Sequence, residues 1–255
     1  EVLCRWRDDE LGEVPPSQFV PIAEDRGMIV ALGNCVIEQA CQQLAAWQRQ
    51  GCQLSGQLSI NIAADQFEDS ELVATLLNSC RQHSIAPDQL SVEITESGIM
   101  THPEDAIATT EILKGHGLGL SIDDFGTGYS SLAYLKRFAA DRIKIDISFI
   151  RDMLVSDSDR TIVATIIAMA DTLGLQTIAE GIETDAQRAR LKLERCGEGQ
   201  GFLFSRPISA QAFTEASTSR PSSAARSEPT TRTAAAASLI PLEFPAVMEK
   251  PSISG

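Results

Sequence analysis

Seven apolar stretches of the chain each end on or beside a side chain that could do chemistry: Glu1, Asn61, Glu93, Asp123 with Asp124, Lys144, Glu180, and Gln200 just before the last stretch. One acid at the end of such a stretch is ordinarily a cap or a solvated edge. Repetition changes the reading, because bringing these residues together gathers five carboxylates, an amide and an ammonium. Carboxylates so crowded repel one another, and a bound divalent cation relieves the repulsion. Oxygen donors of this kind suit hard cations such as Mg2+ or Mn2+ better than zinc, and the three histidines, His83, His102 and His116, fall in helix or loop positions. Two such cations, roughly 3.5–4 Å apart and sharing a carboxylate, activate a water and stabilise the leaving oxygen of a phosphodiester. The adjacent pair Asp123-Asp124 suits the shared position.

Residues this far apart in sequence need a scaffold that returns to one face. The stretches read as strands over Glu1–Arg5, Leu58–Ile62, Leu90–Thr95, Leu118–Asp123, Arg142–Asp146, Leu175–Glu180 and Gly201–Phe204. Amphipathic helices are expected between them, over Leu32–Arg49, Ser70–His83, Pro103–His116, Arg160–Leu173 and Asp185–Arg195. Strands alternating with helices predict an α/β fold, a (β/α)8-type TIM-like barrel, whose strand C-termini form the active-site face. With seven strands, the barrel is expected to lack its first strand, which would precede Glu1. The loop Asp124-Phe125-Gly126-Thr127-Gly128-Tyr129-Ser130-Ser131-Leu132 follows the acid pair, and could act as a phosphate nest or a mobile lid.

A net charge of -14 argues against a DNA or RNA polymer as partner, since phosphate backbones are bound by clustered Lys and Arg. The six cysteines form no CxxC pair and read as reduced thiols of a cytosolic domain. No apolar run is long enough to span a bilayer, so any membrane anchor of the full-length protein would lie upstream. Beyond residue 216 the composition turns to Ser, Thr, Ala, Pro and Arg, which predicts a barrel over 1–216 and a disordered tail over 217–255. Within that tail, Leu239-Ile240-Pro241-Leu242-Glu243-Phe244 is a short apolar patch, read as unstructured with docking as the alternative.

The segments in their order resemble the EAL-domain cyclic di-GMP phosphodiesterases over residues 1 to about 213. Glu1-Val2-Leu3 stands at the Glu-Ala-Leu signature, followed by Ser59-Ile60-Asn61-Ile62, Glu93-Ile94-Thr95-Glu96-Ser97, Asp123-Asp124-Phe125-Gly126-Thr127-Gly128, Lys144-Ile145-Asp146, Ala179-Glu180-Gly181-Ile182-Glu183 and Gln200-Gly201-Phe202. The resemblance implies that Glu1, Asn61, Glu93 and Asp123 hold one cation, and Asp123, Asp124 and Glu180 the other. It assigns Lys144, Glu180 and Glu183 to catalysis, with Lys144 positioning or polarising the attacking water, and Arg5 and Gln200 to the substrate. Glu96 would hold the loop of Phe125, Gly126, Thr127 and Gly128 in its working shape. The implied reaction is metal-dependent hydrolysis of cyclic di-GMP to linear pGpG, by a homodimer with a sensor or cyclase domain upstream. The alternative is a domain that binds cyclic di-GMP without turnover. A further expectation is that, with no strand before it, Glu1 carries an ammonium that disfavours cation binding and leaves the fragment inactive.

Overall fold

The computed structural model describes residues 1–52, 54, 56–128, 132–218 and 240–244. The chain opens with a hairpin, β1 (Val2–Asp8) and β2 (Gly12–Val14), then α1 (Pro16–Asp25) and α2 (Ile29–Arg49). Next come β3 (Leu58–Asn61), α3 (Ala64–Phe67), α4 (Leu72–His83), β4 (Leu90–Thr95), α5 (Glu96–Ile99), α6 (Pro103–Gly115) and β5 (Gly119–Phe125). The run continues with α7 (Leu132–Leu135), β6 (Arg142–Ile145), α8 (Ile147–Asp152), α9 (Asp157–Leu173), β7 (Gln176–Ala179), α10 (Asp185–Leu193), β8 (Glu198–Gly199), α11 (Ala210–Thr218) and β9 (Ile240–Phe244).

Strands β3 to β8 form one six-stranded sheet in chain order, every neighbouring pair parallel. This is the curled parallel sheet of the expected barrel class. Its strands are buried on both faces, so they read as apolar runs broken by single polar residues. Side chains alternate along each strand: in β4, Val92 and Ile94 belong to the apolar core while Glu93 points the other way, into the barrel. Helix α2 contributes Val36, Ile37, Ala40, Cys41, Leu44 and Trp47, all buried at three- and four-residue spacing. Two later helices are capped as their sequences suggest: Ser156 accepts from the Asp159 N–H at 3.2 Å, and Thr184 with Gln187 makes a capping box on α10. No helix among the described residues is long and apolar enough to cross a membrane.

Two boundaries differ from expectation. The last strand of the sheet is Glu198–Gly199 and not Gly201–Phe204. The chain turns at Gly201, whose φ of +151 and approach to the Ile182 backbone leave no room for a side chain: a Cβ there would lie 2.2 Å from the Ile182 nitrogen. Ile240–Phe244, inside the segment whose composition predicts a disordered tail, runs as a strand beside β1. Tyr129, Ser130 and Ser131 of the expected lid, and residues 219–239 and 245–255 of the tail, lie outside the described residues.

Candidate active site

The strand ends bring the predicted residues to one mouth. Lys144, on β6, is only 1% exposed, and its Nζ lies 2.6 Å from Glu93 Oε2, 2.8 Å from Glu180 Oε1, 3.1 Å from Asp123 Oδ2 and 3.7 Å from Glu1 Oε2. Asn61 donates to Glu1 Oε1 at 2.7 Å. Gln200 donates to Glu180 Oε1 at 2.6 Å and to Glu1 Oε2 at 3.2 Å, tying the two ends of the sheet together across the mouth. Four strand-end acids thus surround one buried ammonium.

Consecutive residues of a regular strand face opposite sides, so Asp123 and Asp124 could not both serve this mouth from an unbroken β5. The strand is in fact bulged there: Ile122 pairs with Ile143, but the next partners are Phe125 and Ile145, which leaves one residue more on β5 than on β6. Asp124 takes the left-handed conformation, φ +52, which turns its carboxylate back toward its neighbour. As a result, oxygen atoms of Asp123, Asp124 and Glu180 all lie within 4.8 Å of one another, and this trio could hold a metal ion. Three convergent carboxylate oxygens without a histidine or thiolate are the donor set of a hard divalent cation, so the residues present fit the implied group.

The electrostatics record the crowding. Burial pushes Glu180 up to about 8, with Asp123 and Glu1 adding to the rise and Lys144 opposing it. Burial, then the carboxylates of Asp123 and Asp146, push Asp124 up to about 6. Glu93 is raised by its burial and by Glu1 and Asp123, against the pull of Lys144. Lys144 moves the other way: burial alone would lower it, but Glu93, Glu1, Glu180 and Asp123 outweigh that and hold it well above the ordinary lysine range. It therefore stays an ammonium at neutral pH, a donor and not a base.

The loop after β5 is built on Glu96. Its Oε2 accepts from the Gly126 N–H at 2.8 Å and the Gly128 N–H at 3.3 Å. Gly126 has φ +101, and a Cβ on it would lie 2.9 Å from the Phe149 ring. Gly126→Ala is therefore expected to lose about 1–3 kcal/mol of stability through backbone strain and the clash, read as a lower midpoint of urea unfolding. The Thr127 hydroxyl donates to the Asp124 carbonyl at 2.8 Å, and Phe125 is buried, so both ends of the turn are fixed.

Two residues named from the sequence stand apart from the mouth. Glu183 is exposed, with its N–H on Gln187 Oε1 at 3.0 Å, and its carboxylate makes no ion pair among the described residues. Arg5 donates to the Cys4 carbonyl at 2.8 Å and likewise forms no ion pair among them, which leaves its guanidinium available to an anion. One functional residue escapes the reading of the sequence: Asp146 caps α8, accepting from the Ser148 N–H at 2.9 Å, and faces Asp124 closely enough to raise it. An acid directly after a strand and before a helix is the signal for it.

The EAL domain family model matches residues 1–207. The chain is 41% identical over 211 residues to the bifunctional diguanylate cyclase/cyclic di-GMP phosphodiesterase MucR of Pseudomonas aeruginosa, a match covering 83% of this chain and 31% of MucR. Among solved structures, the c-di-GMP complex of the PaMucR phosphodiesterase superposes with a TM-score of 0.78 at 41% identity, over 82% of this chain and 84% of that one. The manganese and cyclic di-GMP complex of BlrP1 from Klebsiella pneumoniae follows with a TM-score of 0.66 at 34% identity, over 77% of this chain and 49% of that one. The chain spans about a third or less of the length of the first curated relatives it matches. A family model that covers most of the sequence, relatives at this identity and a shared fold agree on one assignment: the chain belongs to the EAL domain family.

Proposed function

We propose that this chain hydrolyses cyclic di-GMP to linear pGpG with the help of two divalent cations, Mg2+ or Mn2+. The observation that carries the reading is the bulge that turns Asp123 and Asp124 onto Glu180 beside a buried lysine. Asp123, Asp124 and Glu180 would hold one cation; Glu1, Asn61, Glu93 and Asp123, whose side chains meet around Lys144, would hold the other. When bound, such a pair supplies a nucleophile at neutral pH and neutralises charge on the leaving oxygen.

The chain's own groups do the rest. Hydrolysis adds water across one P–O bond: phosphorus gains the water oxygen, and the departing ribose oxygen takes up a proton. Lys144, locked as an ammonium by four carboxylates, donates a hydrogen bond to the incoming water and fixes its line of approach. Arg5, with no carboxylate partner among the described residues, is suited to a phosphate of the substrate, and Gln200 holds Glu180 in place while bordering the same space. Glu183 is exposed next to the mouth, and in this reading it turns inward when the cations and substrate bind.

Further parts of the proposal rest on the relatives. MucR couples a cyclase to a phosphodiesterase by name, and this chain spans 31% of it, which supports a sensor or cyclase domain upstream. The domain works in the cytosol as a homodimer paired near the Asp124–Gly128 loop, and a nucleic-acid polymer is no partner given the net charge of -14. Metal dependence gives the test. Cyclic di-GMP turnover should vanish in chelator and return with Mn2+ or Mg2+; turnover that persists at full rate after dialysis against chelator would refute the two-cation centre.

A further inference from the structure

Strand β1 has two edges and both are occupied. On one side β2 pairs antiparallel with its second half, Trp6 with Val14, Arg7 with Glu13 and Asp8 with Gly12. On the other, β9 runs parallel to its first half, from Val2 opposite Ile240 to Trp6 opposite Phe244. The three strands make a sheet of their own in the order β2, β1, β9, and among the described residues β1 forms no ladder with the six-stranded sheet. The stretch from Val2 to Arg5 therefore has β9 as its only strand partner among those residues. Glu1 stands directly before that stretch, and its carboxylate meets Asn61, Gln200 and Lys144 in the mouth.

The sequence of β9 suits an edge position. Pro241 has no N–H to give, so it is tolerated only where that side of its backbone faces away from the partner strand. With Pro241 turned outward, alternation directs the backbone groups of Ile240, Leu242 and Phe244 toward β1, and those of Leu3 and Arg5 toward β9. The same alternation sends Trp6 toward β2, in keeping with its pairing to Val14. The register thus accounts for the one residue in this apolar patch that should spoil a strand.

We propose that Ile240–Phe244 is a strap, added in cis to the open edge of β1, which fixes the start of that strand and so holds the Glu1 carboxylate in the acidic mouth. The strap is a positioning element, remote in sequence from every residue of the site. Its effect on turnover rests on the phosphodiesterase reading above, but the pairing and its effect on cation binding do not.

The test compares the full chain with Leu242→Pro, which removes a central N–H of β9, and with a chain ended at Ser238. Amide hydrogen exchange and Mn2+ titration are the readouts. In the full chain the amides of Leu3 and Arg5 are expected to be protected; in both variants they should exchange at least about tenfold faster, with Mn2+ affinity about tenfold lower and the amides of β4 and β5 unchanged. A peptide of residues 238–247 added to the shortened chain should restore both. Equal exchange at Leu3 and Arg5 in the full chain and in Leu242→Pro would overturn the strap, and lost protection with unchanged Mn2+ affinity would overturn its role at the site. Should no form of the chain turn over cyclic di-GMP, the phosphodiesterase reading falls while exchange and titration still decide the strap.

Discussion

Asp123→Asn is expected to reduce cyclic di-GMP turnover about a thousandfold or more, since a carboxylate shared between two cations contributes several kcal/mol to stabilising the reaction's charge. The substitution keeps the size of the side chain and an oxygen for the Asp124 N–H, which Asp123 Oδ1 accepts at 2.9 Å. What it removes is one negative charge from a crowded set. The fold should therefore be no less stable in chelator, and slightly more so, while the rise in Tm on adding Mn2+ should shrink. A variant that retains near-normal turnover would place the reaction elsewhere.

Lys144→Met should show the opposite signature in chelator. The lysine is the only cation within 4 Å of Glu1, Glu93, Asp123 and Glu180 among the described side chains, and it is almost wholly buried. Removing one partner of a buried charge set leaves the others uncompensated, at a cost of about 3–5 kcal/mol. For a chain of this size that corresponds to a fall in Tm of roughly 10 °C. Mn2+ should then raise Tm more in the variant than in the unmodified chain, because the metal becomes the remaining source of positive charge. Turnover should fall at least about a hundredfold even with Mn2+ saturating, since the donor that orients the water is gone. An unchanged Tm in chelator would mean that the carboxylates are neutral or solvated without the lysine.

The two variants separate charge crowding from catalysis. Both lose activity, yet one relieves repulsion and the other worsens it. A site that was merely a solvated acidic rim would show neither shift.

Much of this arrangement is legible in the amino-acid sequence, because it follows from periodicity. In a parallel barrel the strand ends share one face, so Asn61, Glu93, Asp123, Lys144 and Glu180, each at the end of an apolar run, have to converge. The bulge at Asp123-Asp124 is not legible, since it requires a non-glycine residue at φ +52, and sequence pattern alone assigns the two acids to opposite faces. Their adjacency suggests a shared role; only the bulge explains how both reach the mouth. Glu96 can be placed under the loop by resemblance alone, and the two glycine N–H groups it accepts give that placement its physical reason. The last strand is misplaced by its sequence because Phe202 and Leu203 look strand-like, while the constraint that ends the strand is the close approach of Gly201 to Ile182, a tertiary contact. The pairing of β9 with β1 is hidden for the same reason: composition describes the segment around it, and nothing local points to a partner more than two hundred residues away.

The most direct measurement is chromatographic identification of the product after this chain is incubated with cyclic di-GMP and Mn2+. Linear pGpG is the expected product, formed only with the divalent cation present. Saturable binding of cyclic di-GMP with no pGpG under the same conditions would contradict hydrolysis and leave a domain that captures the nucleotide without cleaving it.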